Sequence, residues 1–501
     1  MTKGFVALVG AGPGEIGLLT LRGKEYIEKA DVVVFDRLVS PEILDLIPHG
    51  AKKIDVGKDS GNHKVPQEDI NNILLREAIE GNIVIRLKGG DPFLFGRGGE
   101  ELELLVENNI PFEVVPGITS ALSVPAYAGI PVTHRDFCSS VHIITGHQKK
   151  DEALKINYKS LCQMEGTLVF LMGVGALKEI MKGLIEANMD KATPAAIIEK
   201  GSYPEQRMVA GTIENIYEIA SNSQIKSPSI IVVGKVCELG DKYDWFTKRP
   251  LFGKKIMVTR PKMSGNTLSI KLRNLGAKVY DFPCIEIEEI PNNEMLKNEI
   301  SSMCDYSWLV FTSKNGVAIF FDYMLMKKID FRVLGNIKIA AIGSQTAQSL
   351  KERGIIADFV PQIFDGEHLV KGLLEKIDKN DNVLLLRALM GTEEIPKILG
   401  DGGIPFKDIP IYNTLLKNEN SQHMKKLIDE NEVDFVTFTS ASTVDGFINS
   451  MPKVDLSKVT GICIGDKTAL RAKHYGIKHV ISDEATIDSM ITKILDLECR
   501  K

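Results

Sequence analysis

"LKGGDPFLFGRGGEE", residues 87–101, places five glycines around a charged and aromatic centre. It follows an apolar run, Ile83 to Leu87, and precedes a stretch of helical character. A glycine inside a regular element costs roughly 0.5–1 kcal/mol relative to alanine, so this density marks a tight turn or a backbone surface that a ligand approaches. Gly89 and Gly90 would let backbone groups close on a ligand. Asp91 either offers it a carboxylate or, with Pro92, starts a plain turn. Phe93 and Phe95 read first as core residues and second as a binding wall. Arg97, between two glycines at a helix start, suits a bidentate grip on a carboxylate.

Outward from this loop the pattern repeats. "FVALVG", "DVVVF", "IVIRL", "VHIITG", "TLVFLMG" and "SIIVVG" read as buried strands, and the amphipathic segments between them as helices. That is α/β architecture. The chain has 501 residues, too many for one core, with 44% hydrophobic and 25% charged side chains. The pattern lapses at "FTKRPLFGKK" and restarts with "IMVTRP", which places a domain boundary at about 244–253. The two expected domains are 1–245 and 253–501. Residues 1–250 carry 28 basic and 33 acidic side chains, so neither half is the basic domain that nucleic-acid binding asks for. No apolar run has the length of a membrane span, and the N-terminus enters a strand pattern directly. Cysteines 138, 162, 237, 284, 304, 463 and 499 have no paired spacing, and the histidines form no metal motif. Reduced thiols, a cytoplasmic location and no metal are therefore expected.

Four strand ends carry the residues with chemical potential. "GAGPGEIGLLT" satisfies the dinucleotide spacing with Gly12, Gly14 and Gly17, but Pro13 occupies the turn and the denser second loop is unexplained. A strand-to-helix turn that needs small residues is the alternative. Asp36 ends "VVVF", at the sheet edge where open α/β folds bind ligands, as a base or as a turn cap. Lys58 reads by default as solvated. "VPGITSA" puts Thr119 and Ser120 in a first helical turn, with Arg135 beyond.

Taken in order, "VGAGPGEIGLLT", "VVVFDRLVS", "RLKGGDPFLFGRGGEE", "VVPGITSA", "AGIPVTHRDF", "TGH" and "TLVFLMG" closely resemble the tetrapyrrole methylases, within them the uroporphyrinogen-III C-methyltransferases. The resemblance covers residues 3–245. It implies S-adenosylmethionine as methyl donor, bound between two α/β subdomains in a non-Rossmann manner. By position, Pro13, Gly89, Gly90, Asp91, Leu94, Thr119, Ser120, Met172 and Gly201 would contact it. Asp36 and Lys58 match the family's proposed proton acceptor and donor. Arg37, Arg97 and Arg135 would grip the carboxylate rim of the tetrapyrrole. The family also implies a homodimer.

The second half contains a duplication. Arg260 and Arg387, Pro283 and Pro410, and Thr312 and Thr439 are each 127 residues apart, and "AIGSQTA" recurs as "CIGDKTA" at an offset of 122. One repeat pair is too short for a solenoid and suits two α/β lobes facing across a cleft. Paired "FTS" strand ends and "IG-x-x-TA" helix starts could seat carboxylates, or their hydroxyls could only cap helices. With "IMVTRP" and "IPIYNT", these motifs make the half similar to uroporphyrinogen-III synthase. That resemblance implies one lobe from 253–287 plus 414–501 and another from 288–413. It also implies Tyr412 as the side chain assisting hydroxyl loss, and Thr312, Ser313, Thr439, Ser440 and Thr468 as cleft residues.

The function expected is therefore bifunctional: cyclisation of hydroxymethylbilane to uroporphyrinogen III with ring D inverted, then two methylations to precorrin-2, on the way to sirohaem or cobalamin. The competing readings are a methylase acting on another corrinoid precursor or on RNA, an NAD dehydrogenase, and a C-terminal ligand-binding lobe pair.

Overall fold

The computed structural model describes residues 4–57, 65–146, 156–261, 267–378, 380–391, 393–417 and 421–499. The chain forms two compact units, residues 1–254 with 272–278, and 255–271 with 279–501. Every apolar run singled out in the sequence is a strand.

In the first unit, β1 (Phe5–Gly10), β2 (Val32–Phe35), β3 (Lys52–Asp55), β4 (Ile83–Lys88) and β5 (Phe112–Val115) form one sheet in the order β3-β2-β4-β1-β5. All pairings in it are parallel. Side chains alternate between its faces. Ala7, Val9, Val33, Ile85 and Leu87 join one core cluster, and Val6, Leu8, Val32, Val34 and Val84 join the other. The chain leaves β1 toward β2 and leaves β4 toward β5. Loops after these adjacent strands thus run in opposite directions, and their carboxyl ends form a topological switch point.

The second sheet contains β6 (Val141–Thr145), β7 (Thr167–Leu171), β8 (Pro194–Glu199), β9 (Arg207–Thr212) and β10 (Ser229–Val233), ordered β6-β7-β10-β8-β9. Only β6 and β7 run parallel; the other pairs are antiparallel. A buried apolar run reads the same in either direction, so the sequence pattern did not carry this difference. The stretch 244–253 is packed rather than slack. Phe246 is buried against Tyr127, with ring centroids 4.8 Å apart, and Trp245 Nε1 donates to the Ala126 carbonyl at 3.0 Å.

The second unit contains two five-stranded sheets. One joins β11 (Lys255–Val258) and β12 (Lys278–Asp281) to β18 (Phe435–Phe438), β19 (Thr460–Cys463) and β20 (Lys478–Ile481). The other joins β13 (Ile285–Glu289), β14 (Trp308–Phe311), β15 (Lys338–Ala341), β16 (Val383–Ala388) and β17 (Phe406–Leu416). The repeat offsets map strand onto strand, β14 onto β18 and β15 onto β19. The sheets are nonetheless not the repeats, since each draws strands from both copies. The chain passes between the sheets twice, after β12 and after β17. The passages lie side by side, because Ile285 pairs with Leu416 and Lys417 N donates to the Cys284 carbonyl at 3.0 Å.

Candidate functional site

Three loops meet at the carboxyl edge of the first sheet. Beyond the ends of β1 and β4, Gly12 and Gly90 form a separate antiparallel bridge, exchanging backbone hydrogen bonds of 3.2 and 2.7 Å. The "GAGPG" and "GGDP" loops are thus sewn together. The loop after β5 closes on both. A Cβ at Gly117 would lie 2.1 Å from the Gly90 carbonyl oxygen, and one at Gly10 would lie 2.5 Å from Gly117 Cα. Gly90 itself has φ +70°, and a Cβ there would meet open space. Backbone crowding on three sides and room on the fourth is the form of a ligand cradle.

Asp91 shapes this cradle. Its Oδ1 accepts from the Phe93 and Leu94 amides at 2.9 and 3.0 Å, and its Oδ2 accepts from Gly117 N at 3.0 Å. The turn alternative for Asp91 is thus present, and the same carboxylate ties the turn to the Gly117 loop beside the cradle. Leu94 carries the loop across to the second subdomain, packing on the cluster that includes Val169, Leu171 and Ile198. Met172 follows Leu171 with φ +56° and is half exposed. Thr119 caps the helix Ser120–Tyr127 by accepting from Ala121 N at 3.3 Å. Gly201 is buried, and a Cβ on it would stand 2.2 Å from Val124 of that helix. Its neighbours reach the first loop: Ser202 Oγ accepts from Glu15 N, and Tyr203 fills the space beside Gly14. Pro13 is half-buried between these contacts. Phe93 and Phe95 are exposed rather than buried in a core of the described residues.

Asp36 stands at the end of β2 with its side chain about one third exposed (32%). Its Oδ1 accepts from Arg86 Nη2 at 2.8 Å. Arg86, 2% exposed, also donates from Nε to Glu101 Oε1 at 3.1 Å, and Lys88 Nζ donates to the same oxygen at 2.7 Å. Burial pushes the Lys88 ammonium below its ordinary range, with the Arg86 charge adding to the effect. Arg37 and Arg135 are exposed. Arg97 is exposed too, but its guanidinium is paired with Glu100, Nε to Oε1 at 2.9 Å. Lys58 lies outside the described residues.

In the second unit the two "FTS" motifs have parallel local roles. Ser313 caps the helix Lys314–Met326, and Ser440 caps Ala441–Ser450 in a reciprocal capping box with Thr443. Ser313 Oγ also bonds the Tyr412 hydroxyl at 2.9 Å. Tyr412 is 6% exposed; burial raises its hydroxyl pKa and the Ser313 bond lowers it in part. Thr312 and Thr439 sit half-buried at the strand ends. Thr468 is buried at the third position of the helix Asp466–His474. Beside Ser313, burial followed by the charge of Arg260 brings the Lys314 ammonium down to about 8. The repeat-related arginines differ: Arg387 holds Asp408 bidentately at 2.8 and 2.6 Å, whereas Arg260 has no carboxylate partner among the described residues.

Comparison with known proteins agrees with this division. A sequence model of the tetrapyrrole (corrin/porphyrin) methylases matches residues 6–217, and one of uroporphyrinogen-III synthase HemD matches residues 266–492. The chain is 55% identical to a porphyrin biosynthesis protein HemD from Ruminiclostridium josui, over 99% of each chain. The chain belongs to the fused tetrapyrrole methylases and uroporphyrinogen-III synthases. It is also 34% identical to a uroporphyrinogen-III C-methyltransferase of Bacillus subtilis, over 94% of this chain and 93% of that one. Among solved structures it is similar to the uroporphyrin-III C-methyl transferase from Thermus thermophilus complexed with S-adenyl homocysteine. There the identity is 37%, the coverage 47% of this chain and 99% of that one, and the TM-score 0.41. The protein is thus an enzyme of tetrapyrrole biosynthesis with a C-methyltransferase half and a synthase half.

Sequence reading passed over several groups in both halves. Arg86 and Lys88 of the methylase half lie inside "IVIRLK", where the only signal was two cations at alternate positions of an otherwise apolar central strand. Glu101 was hidden in the "GGEE" of a helix start. Lys314 of the synthase half had no signal beyond its place after "FTS", because its perturbation comes from long-range burial and from Arg260.

Proposed function

We propose that the synthase half closes hydroxymethylbilane into uroporphyrinogen III with ring D inverted, and that the methylase half methylates this product twice to precorrin-2. One observation carries the reading. Two families whose reactions are consecutive occupy one chain, and a relative of the same full length carries both halves.

In the methylase half the cradle over Gly90 suits S-adenosylmethionine, with Pro13, Gly89, Gly90, Asp91, Leu94, Thr119, Ser120, Met172 and Gly201 around it. Bound there, this group supplies an electrophilic methyl. The protein's tasks are then to align the acceptor carbon, exclude water and take up the proton that the tetrapyrrole releases. Alignment of a well-oriented pair is equivalent to about 10⁵ M or more of reactant. Asp36 serves as proton acceptor, a role that adds about 10²–10⁴-fold for a well-placed group. Lys58 is the proposed donor. Arg37 and Arg135, exposed and without carboxylate partners in the described structure, offer charge to the substrate's carboxylates, and Arg97 does so by exchanging its pairing with Glu100.

In the synthase half the substrate loses its terminal hydroxyl as water and closes through a spiro intermediate. Tyr412, with Ser313 at its hydroxyl, is the proposed proton source for the departing hydroxyl. Thr312, Thr439, Ser440 and Thr468 are the remaining cleft candidates, Thr468 through its backbone amide.

The test gives the full chain hydroxymethylbilane and S-adenosylmethionine without air and analyses products by mass and isomer. A dimethylated type-III product is expected. Unmethylated type III would reopen the methyl acceptor, and type I alone would remove the synthase reading.

A further inference from the structure

Four charged groups are linked beneath the methylase edge. Arg86 and Lys88 project from β4 onto the face they share with Val84, and Glu101 comes down on them from the helix Gly98–Glu107. Glu101 is fully buried and Lys88 is 4% exposed. Glu101 Oε1 accepts from Arg86, Lys88 and, at 3.3 Å, Gln67 Nε2. Its Oε2 has no partner among the described residues. Desolvating each ion costs several kcal/mol, and buried ion sets of this kind are often replaceable by apolar residues without loss of stability. Stability is therefore a poor reason for the network to exist.

The layout supplies a better one. Of the four groups only Asp36 is open to the surface at the carboxyl edge of the sheet; the other three are buried. Arg86 bridges inward and outward, with Nη2 on Asp36 Oδ1 at 2.8 Å and Nε on Glu101 Oε1 at 3.1 Å. Its Nη1 is tied to the Leu87 carbonyl at 3.2 Å. The guanidinium plane is thus fixed on three sides. The bond to Oδ1 sets the Asp36 rotamer and leaves Oδ2, which has no hydrogen bond in the described structure, as the oxygen available outward. Two anions and two cations balance, so the clamp adds no net charge.

We propose that Arg86 is the positioning residue for Asp36 in methyl transfer, oriented from behind by Glu101 and Lys88. The proposal rests on Asp36 being the proton acceptor. The planar fork is what fixes the geometry; a lysine at 86 keeps the charge but has one nitrogen, without the separate Nε on Glu101 and Nη1 on the Leu87 carbonyl that hold the guanidinium plane. Misplacing a reacting group by about 1 Å costs on the order of 100-fold.

The experiment measures uroporphyrinogen methylation by the full chain as parent, R86K, D36N and the R86K/D36N double variant, with S-adenosylmethionine binding measured by calorimetry. R86K should lower kcat by about 10- to 100-fold, with KM and S-adenosylmethionine affinity unchanged. In the D36N background R86K should add nothing, because there is no longer a carboxylate to place. Independent, multiplying losses would overturn the proposal. So would loss of S-adenosylmethionine affinity in step with rate, which would make Arg86 a scaffold residue. A D36N enzyme with parental kcat would be a different failure: it removes Asp36 as proton acceptor before any Arg86 variant is considered.

Discussion

Replacing Asp91 with asparagine keeps the side chain's shape and removes one acceptor from the cradle. The amide oxygen can still serve Phe93 and Leu94 N–H, now at 2.9 and 3.0 Å from Oδ1. The amide nitrogen then faces Gly117 N–H, donor against donor, where Oδ2 accepts at 3.0 Å. A hydrogen bond to a charged group contributes about 1.5–3 kcal/mol. Loss of this one therefore converts to ~10- to 150-fold in any equilibrium that needs the two loops joined. Gly117 cannot simply re-seat itself closer, because its Cα already sits where a Gly10 Cβ would be 2.5 Å away. Calorimetric titration of S-adenosylmethionine into the full-length parent and D91N should show that drop in affinity. Urea denaturation should show the methylase unit destabilised, with synthase activity intact as an internal control. Parental affinity together with parental stability would refute the argument that the carboxylate holds the loops.

Three further outcomes follow from other contacts. G201A would place a Cβ 2.2 Å from Val124, and overpacking of this kind costs about 1–3 kcal/mol in denaturation; an unchanged midpoint would mean that the helix Ser120–Tyr127 gives way freely. Y412F removes the 2.9 Å bond to Ser313. It should cost about 1 kcal/mol of stability at most while lowering synthase kcat well beyond that and raising the type-I fraction, and parental kinetics would return Tyr412 to the core. Lys314, lowered to about 8 by burial and then by Arg260, binds its proton less tightly when folded than when unfolded, so stability from this group rises with pH above about 8. K314M should exceed the parent by about 1–2 kcal/mol near neutral pH, after discounting for solvent screening, and the gap should close by about pH 10; a constant gap would contradict the shift.

Legibility followed the range of the forces involved. The six apolar runs and the glycine loops were readable because strand burial and turn conformation are local. The meeting of Gly12 with Gly90 was not, since it depends on β1 and β4 being neighbours although 78 residues separate the two glycines. Arg97 illustrates a local rule overtaken by a local partner: its fork meets Glu100 one helical turn on. Thr468 and Tyr412 were legible as positions but not as buried ones, because the covering residues come from other strands and helices. Arg86 shows the reverse case. A charge in a central strand looks like a defect in the pattern until the helix bearing Glu101 is laid over it.

The paired passages between the sheets of the synthase unit set the mechanics of that half. One helix, Ala441–Ser450, grips both: Gly446 lies against Cys284, and Ser450 Oγ donates to the Lys417 carbonyl at 2.8 Å. Two cross-linked strands form a ribbon, and a ribbon flexes across its broad face while resisting shear and swivel. A link of this form resists twisting between the two sheets more than a single connecting strand would.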